Sequence, residues 1–399
     1  MVRSTHCSFY DALNMADRSH DVEVVFVGQL PPPRHGQTLT NLTMVSGNYE
    51  RIRITPVTMR FSDDLASVGR FQCSKLLRIP GLIRAVFLEW RAGRRDVLVY
   101  TIGAKNVVGI ARDLMVLPFI RPLFRRTVFF VHTGGLRSLY NKPGLSLLAR
   151  LGYGRADVVI HLDELVAGAD DVLPDPKRVA FLPHGMSDPV ERGLLTRDQV
   201  DRTGAGAGAH AVPVILFVGN LYPAKGTHDL VRAAGLLAAR GRDFEIRFVG
   251  APPTETTNRE LMRLATQHGV EDRINLIGPV VGDEVWHQLG AADIFCFPSH
   301  YEAEAWGTVV LEAMAAGLPV VTTNWRALPA MVVDGVSGYL VDPGDDATLA
   351  DRLEALVVDR ELARSMGRAG RTYFDEHFTL AKFEAGFERI LLEAHDNPA

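Results

Sequence analysis

Two glutamates, Glu304 and Glu312, bracket the start of a helix in the segment FPSHYEAEAWGTVVLEAMAAGLPVVTT (297–323). The pattern predicts a strand ending at Pro298, then a loop, then a helix that begins near Gly307 or Thr308 and stops at Gly317 and Pro319. The first amides of a helix lack internal acceptors and carry the positive end of its dipole, so the turn at Thr308 and Val309 suits a phosphate. An ionised carboxylate, in turn, accepts hydrogen bonds from neighbouring hydroxyls. With Glu304 just ahead of the anion site and Glu312 about one turn inside the helix, the segment reads as a site for a phosphorylated sugar. Taken singly, Glu304 also fits a surface loop, and Glu312 a charge placed to suit the helix dipole.

A second segment, VILFVGNLYPAKGTHDLVRAA (214–234), reads as strand, loop and a helix that Thr227 can cap, with Asp229 in the first turn. It places Lys225 at the carboxyl edge of a sheet, where open α/β sheets bind ligands, and Gly226 lets the backbone come close. Lys225 is therefore a phosphate-binding candidate, against the plainer reading of a solubilising lysine. FFVHTGG (129–135) puts His132 at the end of a strand, facing a cleft or buried as a structural histidine. GQLPPPRHGQTLTN (28–41) leads from the first strand into a helix, with Arg34 and His35 in the loop and Gly36 supplying backbone freedom. It has neither the P-loop nor the dinucleotide pattern. His184, followed by Gly185 in FLPHGM, sits at a turn that could border the same cleft.

Elements that position these residues recur from end to end: short apolar runs at 22–28, 96–101, 127–133, 157–162, 179–184, 214–219, 245–250, 274–278, 293–299 and 319–323 alternate with amphipathic stretches. That is the signature of parallel strands joined by helices, so the expected class is α/β. The Gly/Ala-rich run RTGAGAGAHAVP (202–213) suits a linker. The expected organisation is an α/β domain at 1–200, a linker at 201–213, a second α/β domain at 214–375 with its own sheet facing the first across a cleft, and a terminal helix at 376–399. Spacing assigns that helix to neither domain.

VGNLYPAKG, PSHYEAEAWGTVVLEAMAAGLPVV and DGVSGYLVDPGD (334–345) together resemble the donor-binding half of retaining glycosyltransferase family 4, whose members have the GT-B fold of two Rossmann-like domains facing a cleft. The resemblance covers the second domain and is weaker in the first. It implies that Lys225 contacts the donor diphosphate, that Glu304 faces the transferred sugar, that Glu312 holds the ribose, and that the amides of Thr308 and Val309 cradle phosphates. By the same resemblance His132 lies near the sugar hydroxyls, and the loop bearing Gly36 closes over phosphates and acceptor, which Arg34, His35 and His184 could touch. Three departures stand out. Asn220 replaces the usual arginine of the diphosphate site, Glu302 competes with Glu304 in a loop two residues longer, and Pro329-Ala330 stands where the family often has Pro-Glu. The implied reaction moves a sugar from a nucleotide diphosphate to an acceptor hydroxyl in glycolipid, polysaccharide or other cell-envelope glycan synthesis. An epimerase or hydrolase of the same fold, or a non-catalytic nucleotide-sugar-binding subunit, remains an alternative.

Composition agrees with an ordinary folded chain: 399 residues, 47% hydrophobic, 23% charged. Three scattered cysteines suit a reducing, cytoplasmic setting, and no run is long and apolar enough to span a bilayer. No Asp-x-Asp triplet occurs, so no metal or other cofactor is expected. Charge is uneven, with 24 Lys+Arg to 17 Asp+Glu in residues 1–190 and 19 to 30 in the remainder. The basic excess is concentrated between Arg60 and Arg126 among Leu76, Leu77, Ile83, Phe87, Leu88 and Trp90. That stretch fits a solvated helix face, or a surface for anionic headgroups that would hold the protein peripherally at the inner face of a membrane. No nucleic-acid module accompanies it.

Overall fold

The computed structural model describes residues 20–32, 36–59, 77–102, 107–132, 145–165, 173, 175–201, 212–254, 256–280, 282–302, 304 and 306–396. Two six-stranded, wholly parallel sheets make up its frame. The first contains β1 (Val22–Gly28), β2 (Ile52–Thr58), β3 (Val97–Ile102), β4 (Arg126–Val131), β5 (Val158–His161) and β6 (Val179–Phe181), in the order β2-β1-β3-β4-β5-β6. The second contains β7 (Val214–Val218), β8 (Glu245–Val249), β9 (Ile274–Gly278), β10 (Ile294–Phe297), β11 (Val320–Thr323) and β12 (Gly338–Val341), in the order β12-β11-β10-β7-β8-β9. Every apolar run singled out in the sequence forms one of these strands. β2 and β12 carry weaker signals. β2 is an edge strand studded with Arg53 and interrupted by Pro56, whose missing N–H is tolerated at an edge. β12 is only four residues long, and it lies so close to β11 that a Cβ on Gly338 would sit 2.0 Å from the Val320 carbonyl oxygen.

Helices cover both faces of each sheet, as parallel strands require. In the first lobe these are α1 (Gly36–Ser46), α2 (Ile79–Arg91), α3 (Val107–Ile120) and α4 (Leu145–Tyr153). After a short α5 (Arg197–Asp201), the second lobe adds α6 (Thr227–Ala239), α7 (Thr257–Gln267), α8 (Glu284–Gly290), α9 (Thr308–Ala315), α10 (Asp346–Val358) and α11 (Arg360–His377), and α12 (Leu380–Asp396) follows. α2, α3 and α4 pack side by side on one face of the first sheet, burying Leu82, Val86, Val116, Leu117 and Tyr153 against Val25, Leu98, Phe129 and Val159.

Contacts cross the boundaries expected from sequence. Asp188 is held by Arg371, which also donates to the Ala315 carbonyl at 2.7 Å, and α5 lies against the second lobe, where a Cβ on Gly317 would sit 2.1 Å from the Val200 carbonyl oxygen. Residues 186–201 thus pack with the second lobe rather than the first. Conversely, the terminal helix α12 packs on the first: Glu388 accepts from the amides of Arg51 and Ile52 at 2.6 and 3.2 Å, Arg126 donates to the Ala394 carbonyl at 3.0 Å, and Arg178 pairs with Glu393. The two crossings lie together, where Met186 and Leu380 exchange backbone hydrogen bonds with Phe378 and Met186 at 2.9 Å each. The linker segment 202–211, Arg34, His35, Cys7 and Cys73 lie outside the described residues; Cys296 is a buried free thiol.

One buried polar network braces the α2–α4 layer. Asp113 is fully buried, accepts the hydroxyls of Tyr100 and Tyr153 at 2.6 Å each, and pairs with Arg112 at 2.6 Å. Removing Asp113 takes the acceptor from the buried Tyr100 hydroxyl and a counter-charge from Arg112, a loss of about 3–5 kcal/mol in comparable cases. Asp113→Ala is accordingly expected to lower the unfolding free energy in urea by about 3 kcal/mol, and a drop below about 1 kcal/mol would show that the network contributes nothing beyond ordinary hydrogen bonds.

Candidate active site

The strand order of the second sheet determines where its loops converge. The chain runs outward from β7 through β8 to β9, then returns to place β10 on the other side of β7. Connections leaving the carboxyl ends of β7 and β10 diverge there and open the crevice in which doubly wound sheets bind ligands. Lys225 lies on the loop after β7, in a 3-10 turn at Pro223–Lys225, and Glu304 on the loop after β10.

The two side chains meet. The Lys225 ammonium donates to the Glu304 carboxylate, to whose same oxygen Ser299 Oγ donates at 3.1 Å. Glu304 is 8% exposed, whereas Glu302 is exposed in the same loop. The ammonium also lies 5.2 Å from the Phe297 ring centre and 5.0 Å from that of Tyr301, which stacks on Tyr222. Aromatic faces attract a cation and keep water from it.

Gly226 makes this closeness feasible. It adopts φ 85°, and a Cβ there would stand 2.2 Å from the Pro298 carbonyl oxygen, so the loops after β7 and β10 approach at a residue without a side chain. Gly226, not Thr227, precedes the first helical residue of α6; Thr227 instead donates to the Tyr222 carbonyl at 3.4 Å. This corrects the expected cap. Asp229 is drawn inward, bound by Arg232 and faced by His300 Nδ1 at 3.4 Å, and burial raises its carboxyl above the usual range. Asn220 is exposed beyond the end of β7 and supplies no charge.

The helix start falls at Thr308, as the sequence indicates, with no side chain capping it. Its first amides are not equivalent: Thr308 donates to the Trp306 carbonyl at 2.9 Å and Val310 to that of Gly307 at 2.7 Å. Both of these amides thus already have a backbone acceptor. Glu312 sits one turn on, and loss of water around it pushes its carboxyl up to about 7.

Across the cleft, His132 directly follows β4 and is buried. Its Nε2 lies 2.8 Å from Asn41 Oδ1, while Asn41 Nδ2 donates to the Gln29 carbonyl at 2.9 Å and to Thr101 Oγ1 at 3.3 Å. Because the amide nitrogen of Asn41 is committed as donor, its oxygen must accept, and His132 Nε2 carries the proton. Asn41 escaped the sequence reading because its partners are separated from it by 12, 60 and 91 positions. Ser299 escaped too, although a small hydroxyl directly after the strand and its proline was a usable signal. Gly36 opens α1, which carries Asn41.

A run of rings joins the lobes: His132 to His184 at 5.9 Å, His184 to Trp306 at 6.1 Å, and Trp306 to Phe378 at 6.2 Å. His184 Nδ1 is 3.4 Å from Thr40 Oγ1, and burial lowers its pKa to about 3. A neutral imidazole offers a neighbouring group hydrogen bonds but no charge. Its neighbour Gly185 is set by the crossing, since a Cβ would meet Phe383 at 2.3 Å. Among the described residues no group of three or more His, Cys, Asp or Glu is placed to hold a metal ion.

Residues 208–373 match the family described as glycosyl transferases group 1. The second lobe carries that family's pattern. This glycosyltransferase is 24% identical to N-acetyl-alpha-D-glucosaminyl L-malate synthase of Bacillus anthracis over 94% of its own length and 90% of that protein's. It is also 34% identical to D-inositol 3-phosphate glycosyltransferase of Corynebacterium efficiens over 53% of its length, spanning about half (48%) of that relative. Anabaena HepE, solved in complex with UDP, superimposes with a TM-score of 0.69 at 17% identity, covering 93% of this chain and all (100%) of that one. Sucrose-phosphate synthase from Thermosynechococcus elongatus gives a TM-score of 0.65 at 17% identity, covering 93% and 98%. The two facing six-stranded sheets of the enzyme are therefore the GT-B arrangement.

Glu312 makes the stability of the fold sensitive to pH. In the fold its carboxyl holds a proton up to about 7, against an ordinary value of 4.5. A folded pKa raised above the unfolded one means that the stability from the protonated form is complete below 4.5 and lost as the pH rises through about 7. The ligand-free enzyme should lose unfolding free energy between pH 5 and pH 8, and Glu312→Gln should remove that part of the slope. Parallel pH profiles for the two proteins would show that Glu312 is not the group responsible.

Proposed function

We propose that the enzyme transfers a hexosyl group from a UDP-sugar to an acceptor hydroxyl with retention at the anomeric carbon. The observation that carries this reading is the Lys225–Glu304 pair in the crevice between β7 and β10. A diphosphate arriving there competes with Glu304 for the ammonium. When Lys225 turns to the phosphate, the Glu304 carboxylate is released to accept hydroxyls of the transferred sugar, so donor binding itself prepares the sugar subsite. The Val309 amide adds a second donor to the phosphate, and Glu312, losing its proton, accepts from the ribose hydroxyls. His132, oriented by Asn41, contacts the sugar from the other lobe.

The bond from the anomeric carbon to the phosphate oxygen breaks, that carbon bonds to the acceptor oxygen on the same face, and the acceptor's proton passes to the departing phosphate. Charge on the leaving group is met by Lys225 and the helix start, without a metal clamp. Groups already in place for the charge that develops supply the largest share of such catalysis. The acceptor fits a lipid-linked or polysaccharide precursor at the cytoplasmic face of a membrane. Relatives named for transfer to L-malate or inositol 3-phosphate support small hydroxyl acceptors as the first to try.

Transfer from UDP-glucose or UDP-N-acetylglucosamine to a panel of such acceptors tests the reading. Lys225→Ala and Glu304→Gln are each expected to lower kcat/KM by about 10²–10³-fold, with activity unchanged by EDTA. Full consumption of donor without acceptor would favour an epimerase or hydrolase. Binding of UDP-sugar with no turnover under any condition would favour a non-catalytic subunit, a reading that Asn220 in place of a second cation supports.

A further inference from the structure

The α2–α4 layer buries one side against the first sheet and leaves an unusual opposite side. Along α2 and its flanks the outward residues are Leu77, Arg84, Phe87, Leu88, Arg91 and Arg95, spaced at about one helical turn. Neighbouring α3 presents Met115, Pro118 and Phe119, and α4 presents Leu147, Arg150 and Leu151. Several of these are far out in solvent: Leu77 is 82% exposed, Phe119 63%, Leu147 65% and Leu151 67%. Large apolar side chains gathered on one face mark a contact surface, not ordinary surface scatter.

Charge identifies the partner. The three helices contain only two acids, Glu89 and Asp113. Glu89 is paired with Arg94 at 2.8 Å, and Asp113 is fully buried in the network described above. Among the described residues of these helices the outward face therefore combines leucine and phenylalanine with exposed arginines, and its one carboxylate, Glu89, is half-buried and paired. Trp90 adds an amphipathic ring, with Phe87 stacked on it at 5.3 Å and the Arg95 guanidinium 4.6 Å from its centre. Apolar side chains among arginines match the boundary between acyl chains and anionic headgroups.

We propose that the outer face of α2, α3 and α4 docks the enzyme onto a bilayer containing anionic phospholipid. No helix among the described residues is long and apolar enough to cross a membrane, so attachment through this face is peripheral. The docking deepens the acceptor reading above and rests on it for its purpose. It places the first lobe against the surface from which a lipid-linked acceptor would be presented. Binding to lipid is measured without donor or acceptor, so failure of one reading is distinguishable from failure of the other.

Flotation of the full-length protein with phosphatidylcholine vesicles, with and without 30% phosphatidylglycerol (on the order of a natural anionic leaflet), is the test. Binding is expected only with the anionic lipid and should fall at high salt. Each arginine near such a surface contributes about fivefold in partitioning, so Arg84→Gln with Arg91→Gln should weaken binding about 25-fold. Phe119→Glu should weaken it at least about tenfold, and all these exposed variants should keep the wild-type thermal midpoint. Equal flotation of variants and wild type, binding indifferent to lipid charge, or no binding at all would overturn the assignment. So would a wild-type dimer in sedimentation velocity that Phe119→Glu dissociates, since the face would then belong to a second copy of the chain.

Discussion

A lysine ammonium held against a buried carboxylate at the mouth of a parallel sheet is the contact on which the site depends. Neither charge would be tolerated there alone, because an unpaired ion removed from water is costly. Together with the Ser299 hydroxyl and the faces of Phe297 and Tyr301, they form a small, largely dry polar centre. Its position follows from topology. With β7 and β10 adjacent but far apart in sequence, the loops leaving them open onto one crevice, and Gly226 lets those loops touch. A phosphate entering the crevice meets an ammonium already desolvated, where its attraction is stronger than in bulk water.

The same economy governs the two lobes. Both connections between them run side by side at Met186 and Thr379, so the lobes share a narrow strap while each keeps its own sheet. α12 returns across that strap to cover the first sheet, closing backbone groups of β2 with Glu388. The rings from His132 through His184 to Trp306 then line the seam between the lobes, with His184 kept neutral by burial. A cleft built in this way presents hydroxyl-binding groups from the first lobe to a charged centre on the second.

Much of this was readable from sequence because it is local. Ten apolar runs announced ten of the strands, and the helix start at Thr308 was set by a strand, a loop and a glycine within a few residues. Contacts between distant segments were not readable. Lys225 and Glu304 were assigned separate partners, phosphate and sugar, yet they bind each other, because their separation of 79 positions hides the adjacency that sheet order imposes. Thr227 has the chemistry of a cap, but the tight approach to Pro298 gave that place to Gly226. β2 was hidden by its arginines and proline, which are acceptable only because the strand lies at an edge. The ends of domains drawn from composition missed the exchange of α5 and α12 between lobes, which depends on packing and leaves no periodic trace.

A crystal structure of the enzyme with UDP would address the central claim most directly. The β-phosphate should lie within hydrogen-bonding distance of Lys225 Nζ and the Val309 amide, with the ammonium drawn away from Glu304 and that carboxylate left facing the sugar subsite. UDP bound elsewhere, or bound in the crevice with the Lys225–Glu304 pair intact, would contradict it.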